Sequence, residues 1–345
     1  MSRLAVETQL QSSALIDSGA TEPAKRVSGA RGALEPTAPT VSIVIPTQRR
    51  ALPLLRAARS VLRQTGVDHA LLELVIADND QTPSARSIAE QVAAEAGFPV
   101  IYVHEARSGV ASARNAAMAC ATGASIAFLD DDQEAPEGWL AGLLDVQTRF
   151  RADVVFGPVR ARVPIDIGEH RAHFEQFFSR LGPDEPGLQA GYYGCGNSLV
   201  QRAALPDPDR PFSELMNKTG GEDDLLFGRM KAAGARFAWA PSAFVFEDPH
   251  LERLSLAYTL SRAFAYGQGP TVHFAGSSPP DRLGVARWMA IGVVEAVVFG
   301  LMAAGCWLVS AEKRVWLLDR AARGLGKTLW WGPFQHQFYG RTASD

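Results

Sequence analysis

The sequence has little cysteine and no excess of positive charge. Its 345 residues include three cysteines, Cys120, Cys195 and Cys306. An odd, widely spaced set argues against a disulfide framework or a thiolate metal site, and it fits a reducing cytosol. The net charge of -3 gives no electrostatic reason to expect nucleic acid as the main partner. No G-x-G-x-x-G sequence follows a predicted strand, which argues against a dinucleotide-dependent oxidoreductase.

Residues 1–39 lack hydrophobic periodicity and are rich in Ala, Ser, Gly, Pro and Thr. This composition predicts a flexible leader. The apolar run Ala14-Leu15-Ile16 is too short for a secretory signal peptide. An arm that docks onto a membrane or a partner is the alternative.

Short apolar, β-branched runs alternate with segments of helical spacing from residue 40 onward. The predicted strands are 41–45, 72–77, 99–103 and 124–129, and the predicted helices between them are 52–62, 84–96 and 111–121. Such alternation favours a parallel sheet, because each crossover helix returns the chain in the same direction. We therefore expect an α/β domain over residues 40–270, with a mostly parallel sheet flanked by helices.

Polar residues follow three of these strands at their carboxyl ends: Pro46-Thr47, Asp78-Asn79-Asp80 and Asp130-Asp131-Asp132. Ligands of such sheets bind at that edge. Carboxylates at i and i+2 can hold a hard divalent cation that keeps open positions for substrate phosphates. An acidic turn after a strand explains the aspartates alone, but it does not explain three polar strand ends at one edge.

A second acidic cluster, Glu222-Asp223-Asp224, follows Gly220-Gly221 and begins a predicted helix. Acidic residues are favoured at helix starts by the macrodipole, so a structural role is one reading. The other is that one of them faces a cleft as a general base. Further upstream, Gly194-Cys195-Gly196-Asn197 predicts a close backbone approach to a ligand or a neighbouring element.

Residues 288–309 form the most apolar stretch, interrupted by Glu295. Its length allows a membrane span, although the carboxylate makes a span marginal. A helix lying in the membrane interface fits equally well, because basic residues and tryptophans follow it. A buried C-terminal helix is the third possibility. We expect residues 271–345 to be a membrane-associating helical region, peripheral or single-span.

The order of these motifs resembles the family 2 inverting glycosyltransferases of the GT-A fold. The matching pieces are 41–47, 60–65, 75–80, 108–115, 128–132 and 221–223, which stand in the family's order. The pieces 77–80 with 83–86, and 129–132 with 157–161, resemble the glucosyltransferases that build succinoglycan-type exopolysaccharide. Many relatives carry a second aspartate at the position of Asn79, so this chain departs from the pattern there.

The resemblance implies a role for each motif. Asp223 would be the catalytic base, with Glu222 and Asp224 supporting it. The cation, Mn²⁺ or Mg²⁺, would be bound through Asp132 and Asp130, with His250 as a further metal-side contact, although a lone histidine is more often structural. The nucleotide sugar would contact Pro46, Thr47, Asp78, Asn79, Arg114, Asp130 and Asp131.

The resemblance also implies UDP-glucose as donor and a lipid-linked glycan as acceptor, at the cytoplasmic face of the bacterial inner membrane. Two other functions compete with it. A nucleotidyltransferase that makes sugar nucleotides would be expected to carry a Gly-rich phosphate loop after its first strand, and Thr47-Gln48-Arg49-Arg50 has no glycine. A non-catalytic, membrane-bound polysaccharide-assembly protein would have no need of both acidic motifs.

Overall fold

A computed structural model of the chain describes residues 25–27, 40–217, 220–277, 279–306 and 310–334. The strands are β1 Lys25–Val27, β2 Val41–Thr47, β3 Leu72–Asp78, β4 Val100–His104, β5 Ser125–Phe128, β6 Gln133–Glu134, β7 Val154–Phe156, β8 Val159–Ala161, β9 Gly187–Gln189, β10 Ser198–Gln201, β11 Phe237–Trp239 and β12 Val245–Glu247. The α-helices are α1 Ala51–Leu62, α2 Arg86–Glu95, α3 Val110–Cys120, α4 Trp139–Phe150, α5 Arg171–Phe178, α6 Glu222–Ala232, α7 Leu256–Ala275, α8 Arg282–Gly305 and α9 Ala311–Thr328.

The central sheet has the strand order β1-β4-β3-β2-β5-β10-β7-β11-β9. Strands β4, β3, β2 and β5 run parallel, and the residues of β2 and β3 are buried throughout, as expected for strands covered on both faces. The α/β fold class is confirmed. Beyond β5 the sheet is mixed, because β10 enters antiparallel between β5 and β7. A second, small sheet has the order β6-β12-β8.

The run 153–159 reads as one strand in the sequence, but it divides at Gly157-Pro158 into β7 of the central sheet and β8 of the small sheet. Proline has no N–H for a sheet ladder. A Cβ at position 157 would lie 2.1 Å from the carbonyl oxygen of Ala243, so the chain needs glycine there. At this break the chain passes directly from the central sheet to the small sheet.

Two apolar layers cover the faces of the central sheet. One layer includes Leu54 of α1 and Trp139 of α4, and the other includes Met118 of α3 and Phe227 of α6. These four side chains are fully buried. The helices of the sequence pattern therefore form the two outer layers. The carboxyl ends of the parallel strands lie along one edge of the sheet.

The residues predicted as a flexible leader, 1–39, contain β1, which pairs antiparallel with β4. The rest of residues 1–39 lies outside the described residues. At the other end, the boundary predicted at residue 270 falls within α7. The division of the chain into leader, catalytic domain and C-terminal region stays a prediction.

Glycines allow α9 to pack closely against both α7 and α8. A Cβ at Gly326 would lie 1.9 Å from the Phe264 carbonyl oxygen of α7. A Cβ at Gly324 would lie 2.6 Å from the Ala296 nitrogen of α8, and one at Gly292 would lie 2.5 Å from the Gly324 carbonyl oxygen. The three helices therefore form one closely packed unit.

We expect Gly326→Ala to lower the free energy of unfolding by about 1–3 kcal/mol, the usual cost of overpacking. The methyl group would collide with backbone, which cannot turn aside as a side chain can. Gly300 of α8 is the matched control, because a Cβ there has nothing within 4 Å. Gly300→Ala should be neutral or stabilising by up to about 1 kcal/mol. Urea denaturation of both variants tests the packing, and equal effects would contradict it.

Candidate active site

The carboxyl ends of β2 and β5 are joined through Asp131. The Thr47 hydroxyl donates to one carboxylate oxygen of Asp131 at 2.7 Å, and Arg50 donates to the other at 2.9 Å. The side chain of Asp131 is 8% exposed, whereas those of Asp130 and Asp132 are 35% and 14% exposed. Asp131 therefore fastens the strand ends together, and its neighbours are more accessible to a ligand.

Asp78 and Asn79, at the end of β3, organise the loops around the site. The Asp78 carboxylate is fully buried and accepts hydrogen bonds from the Tyr102 hydroxyl at 2.8 Å and the Ala85 N–H at 2.7 Å. The Asn79 amide donates to the Glu105 and Arg107 carbonyls and accepts from the Gly109 N–H. These protein contacts occupy both side chains. All of the predicted nucleotide contacts stay predictions: those of Pro46, Thr47, Asp78, Asn79, Arg114, Asp130 and Asp131.

Arg114 of α3 joins the two acidic motifs. Its guanidinium donates to Glu222 at 2.6 Å and to Asp130 at 3.2 Å. The arginine is buried, and its guanidinium lies 5.5 Å from the centre of the Phe212 ring. Burial raises the pKa of Glu222, and the charge of Arg114 opposes that rise. Two acidic motifs that are far apart in the sequence thus bind the same guanidinium group, that of Arg114.

The segment Gly194–Gly196 lies between Asp130 and Asp223. The Cys195 N–H donates to the Asp223 carboxylate at 3.1 Å. A Cβ at Gly196 would lie 2.2 Å from an Asp130 carboxylate oxygen, and one at Gly194 would lie 3.2 Å from an Asp223 oxygen. The predicted close approach of this glycine-rich segment to neighbouring elements is confirmed, and the neighbours are the two acidic motifs.

Asp223 lies in the first turn of α6, after the left-handed Gly221 (φ 89°). Besides the Cys195 N–H, its carboxylate accepts the N–H of Asp224 at 2.9 Å. The side chain is half-buried, so it keeps a route to a substrate. Burial and the charge of Asp223 raise the pKa of Asp224. Backbone donors at the helix N-terminus hold the Asp223 side chain in place.

Arg180, which follows α5, was missed in the sequence. Its guanidinium donates to the carbonyls of Gly194 at 2.9 Å and Gly157 at 3.1 Å, and also to that of Gly196. Burial lowers its pKa. The residue stands directly behind the glycine segment and fixes the backbone that contacts Asp130 and Asp223. An isolated arginine after a short helix carries no signal of this role in the sequence.

We expect Arg180→Met to lower the free energy of unfolding by at least about 2 kcal/mol, because each buried carbonyl left without a donor costs about 1–3 kcal/mol. The control is Arg160→Met on β8, an exposed arginine that stacks on Phe244. Its loss should cost about 1 kcal/mol or less. Denaturant titration of both variants makes the comparison, and equal losses would mean that Arg180 does not support the segment.

A further carboxylate, Glu247, stands at the end of β12 near the aspartates. It accepts a hydrogen bond from Gln133 at 3.2 Å. Burial and the charge of Asp132 raise the pKa of Glu247 to about 8. Burial and Asp130 likewise raise the pKa of Asp132, against the charge of Arg50. Several carboxylates therefore crowd one region in which negative charge is costly.

That crowding suits a divalent cation. Among the residues that the structure describes, no group of three or more His, Cys, Asp or Glu side chains is arranged to enclose a metal. Mg²⁺-type sites do not require such a cage, since one or two carboxylates plus substrate phosphates usually suffice. The oxygen donors of Asp130 and Asp132 fit this chemistry.

His250 lies at the surface. Its side chain is 54% exposed and its nearest ionic neighbour is Glu252, at 3.7 Å. The hydrogen bonds and ion pairs of the described residues do not connect it with the aspartates. Its metal-side role therefore stays a prediction, with less support than those of Asp130 and Asp132.

The profile of "Glycosyl transferase family 2" matches residues 42–207, which include the carboxyl ends of β2, β3 and β5. The chain is also 35% identical over 228 residues to the succinoglycan biosynthesis protein ExoM of Rhizobium meliloti. That match covers 66% of this chain and 73% of ExoM.

Solved structures share the fold at low sequence identity. The mannosyltransferase PcManGT of Pyrobaculum calidifontis, in complex with GDP-Man and Mn²⁺, has a TM-score of 0.56 and 18% identity, covering 85% of this chain and 88% of its own. S. aureus TarS 1-349 in complex with UDP-GlcNAc has a TM-score of 0.50 and 16% identity, covering 83% of this chain and 90% of its own. These likenesses confirm the GT-A fold. With the family match and the ExoM relationship, they establish that the chain is a glycosyltransferase and belongs to glycosyl transferase family 2.

Proposed function

We propose that this glycosyltransferase is metal-dependent and inverting, and that it transfers a hexose, most favourably glucose, from a UDP-sugar to a hydroxyl of a lipid-linked or oligosaccharide acceptor in bacterial exopolysaccharide biosynthesis. One observation carries the proposal: Arg114 and the segment Gly194–Gly196 bring the Asp130 motif and the Asp223 motif together around one region. Nucleotide-sugar transfer needs both kinds of group, one facing the diphosphate and one facing the acceptor.

Asp130 and Asp132 would hold a divalent cation, Mn²⁺ or Mg²⁺, which would supply charge neutralisation to the diphosphate leaving group. Arg114 keeps Asp130 in position and balances the charge of Glu222. Asp223 removes the proton from the acceptor hydroxyl as that oxygen attacks the anomeric carbon. Because the protein contributes a base and not a nucleophile, the sugar inverts in one displacement. The leaving diphosphate takes the electron pair of the broken glycosidic bond.

The donor and acceptor classes are supported by the relatives. The ExoM relationship supports exopolysaccharide biosynthesis. One structural neighbour binds GDP-Man and another binds UDP-GlcNAc, which supports a nucleotide sugar as donor. UDP-glucose comes from the sequence resemblance to succinoglycan-type glucosyltransferases. A membrane location is supported by α8, which is long and apolar enough to cross a membrane. The cytoplasmic face, like UDP-glucose, comes from the sequence resemblance.

The test is incubation of the purified chain with a panel of nucleotide sugars, Mn²⁺ and a lipid extract from a polysaccharide-producing bacterium. We expect transfer to be fastest from UDP-glucose and to stop when the cation is chelated. Proton NMR of the product should show the anomeric configuration opposite to that of the donor. Retention of configuration would overturn the inverting mechanism. Absence of transfer from every donor would favour the non-catalytic assembly protein.

A further inference from the structure

An apolar stripe runs along the outer side of α8. Its exposed residues recur at helical spacing from Val293 towards the C-terminal end of the helix: Val293, Val294, Val297, Val298, Leu301 and Met302. Nearer the start of the helix, Leu283 and Arg287 are exposed. Few of the helix's residues are buried within the protein. A continuous apolar surface of this kind is rare on a soluble protein and marks a contact with another apolar phase.

The other side of α8 is covered by α9 from Met289 to Phe299. Near the start of α8, Thr328 donates to the Met289 carbonyl. In the middle, a Cβ at Gly324 would lie 2.8 Å from the Gly292 carbonyl oxygen. Near the end, the rings of Phe299 and Trp316 meet edge to face at 6.1 Å. The two helices are therefore antiparallel neighbours. If α8 entered a membrane, α9 would have to enter it as well.

Charged residues are spread along the length of α9. It carries five basic and two acidic residues: Lys313, Arg314, Arg320, Arg323, Lys327, Glu312 and Asp319. Asp319 pairs with Arg323, and Lys327 pairs with Glu295 of α8. Glu312, Lys313 and Arg320 are exposed. If α8 crossed a bilayer, this charged helix would lie beside it in the hydrocarbon, where each charged side chain is costly.

The helical unit is also fixed to the rest of the molecule. His173 of α5 contacts the Thr259 hydroxyl of α7 at 3.1 Å, and the rings of Phe178 and Tyr258 stack at 6.3 Å. Since α7 packs on α9 at Gly326 and α9 packs on α8 at Gly324, α8 is connected to the folded domain through α9 and α7. It is not a free helix that could turn to stand across a membrane.

We propose that α8 lies flat in the interface of an anionic bilayer and does not cross it. The stripe enters the acyl boundary, while the excess of basic residues on α9 stays among the lipid headgroups. Trp316 and Trp331, both partly exposed, suit that depth. This inference rests on the membrane association proposed above and decides between its two forms, peripheral and single-span.

Vesicle binding tests the surface. The whole chain should sediment with vesicles of equal parts phosphatidylglycerol and phosphatidylcholine, and less with phosphatidylcholine alone. Val294→Glu combined with Val298→Glu should weaken binding at least about tenfold, because two carboxylates enter the stripe. Leu52→Glu on α1, another exposed apolar position, is the matched control and should bind as wild type. A protein that does not bind vesicles of either composition, and that instead dimerises through the stripe, would overturn the inference.

Thiol labelling distinguishes an α8 that lies in the membrane interface from an α8 that crosses the bilayer. Arg282→Cys at the first residue of α8, and Lys313→Cys on α9 beside the other end of α8, each place one accessible thiol in the chain. The partly exposed Cys120 and Cys306 are replaced by serine, and Cys195 is buried. With protein bound to sealed vesicles, both thiols should react with a membrane-impermeant maleimide added outside. Protection of one thiol until detergent is added would mean a span and sink the inference. Neither readout requires sugar transfer, so an inactive chain labelled at both ends would overturn the proposed function alone.

Discussion

Replacing Asp223 with asparagine should lower turnover by about two to four orders of magnitude, the usual contribution of a general base. The side-chain oxygen of asparagine can still accept the Cys195 N–H bond, but it cannot take a proton from the acceptor. Donor binding should therefore be unchanged. Single-turnover transfer from the nucleotide sugar measures the chemical step, and calorimetry measures binding.

Asp184→Asn is the matched control for this substitution, because Asp184 is an exposed aspartate outside the acidic motifs. It should transfer sugar at the wild-type rate. Unchanged turnover of Asp223→Asn would remove Asp223 from the role of base. A loss of donor affinity in that variant would instead assign Asp223 to the donor side of the site.

Asp132→Asn should weaken donor binding in the presence of Mn²⁺ by at least about tenfold, since even indirect partners of a metal site contribute about 10- to 100-fold to affinity. Without Mn²⁺, variant and wild type should bind the donor equally weakly. Calorimetry with and without Mn²⁺ gives the donor dissociation constants of the variant and of the wild type.

The control here is Glu134→Gln in β6, whose carboxylate pairs with Arg162 at 2.7 Å and takes no part in the acidic cluster. It should leave the cation-dependent increase in affinity intact. An Asp132→Asn protein that gains as much from Mn²⁺ as wild type would show that Asp132 does not hold the cation.

The parallel half of the fold could be predicted from the sequence because its information is local. A run such as Val41–Ile45 is apolar enough to be buried on both faces. Asp130–Asp132 directly follow another apolar run, 124–129. The alternation of strands and helices fixes their direction, and parallel strands end at one edge. The positions of the motifs relative to one another then follow from topology.

The remaining features depend on contacts that no local pattern encodes. β10 pairs antiparallel between β5 and β7, and nothing in Ser198–Gln201 specifies those partners. Arg180 acts only on backbone carbonyls that the fold brings to it, and Glu247 reaches the aspartates only because β12 joins the small sheet. Asp78 and Asn79 have the residue types of a binding motif, yet both side chains form hydrogen bonds with other residues of the protein. Those contacts depend on the fold and could not be predicted from the sequence.

The contacts of α5 with α7 set a distance as well as an orientation. Arg180 is two residues beyond the end of α5 and binds the carbonyls of the glycine segment beside Asp223. That segment is therefore connected through a few residues to the helices that carry the apolar stripe. With that stripe resting on lipid, the base would sit at a constant height above the bilayer. If the acceptor is lipid-linked, as proposed, only a hydroxyl at this height above the bilayer could meet Asp223, so the length of the acceptor would matter as well as its terminal sugar.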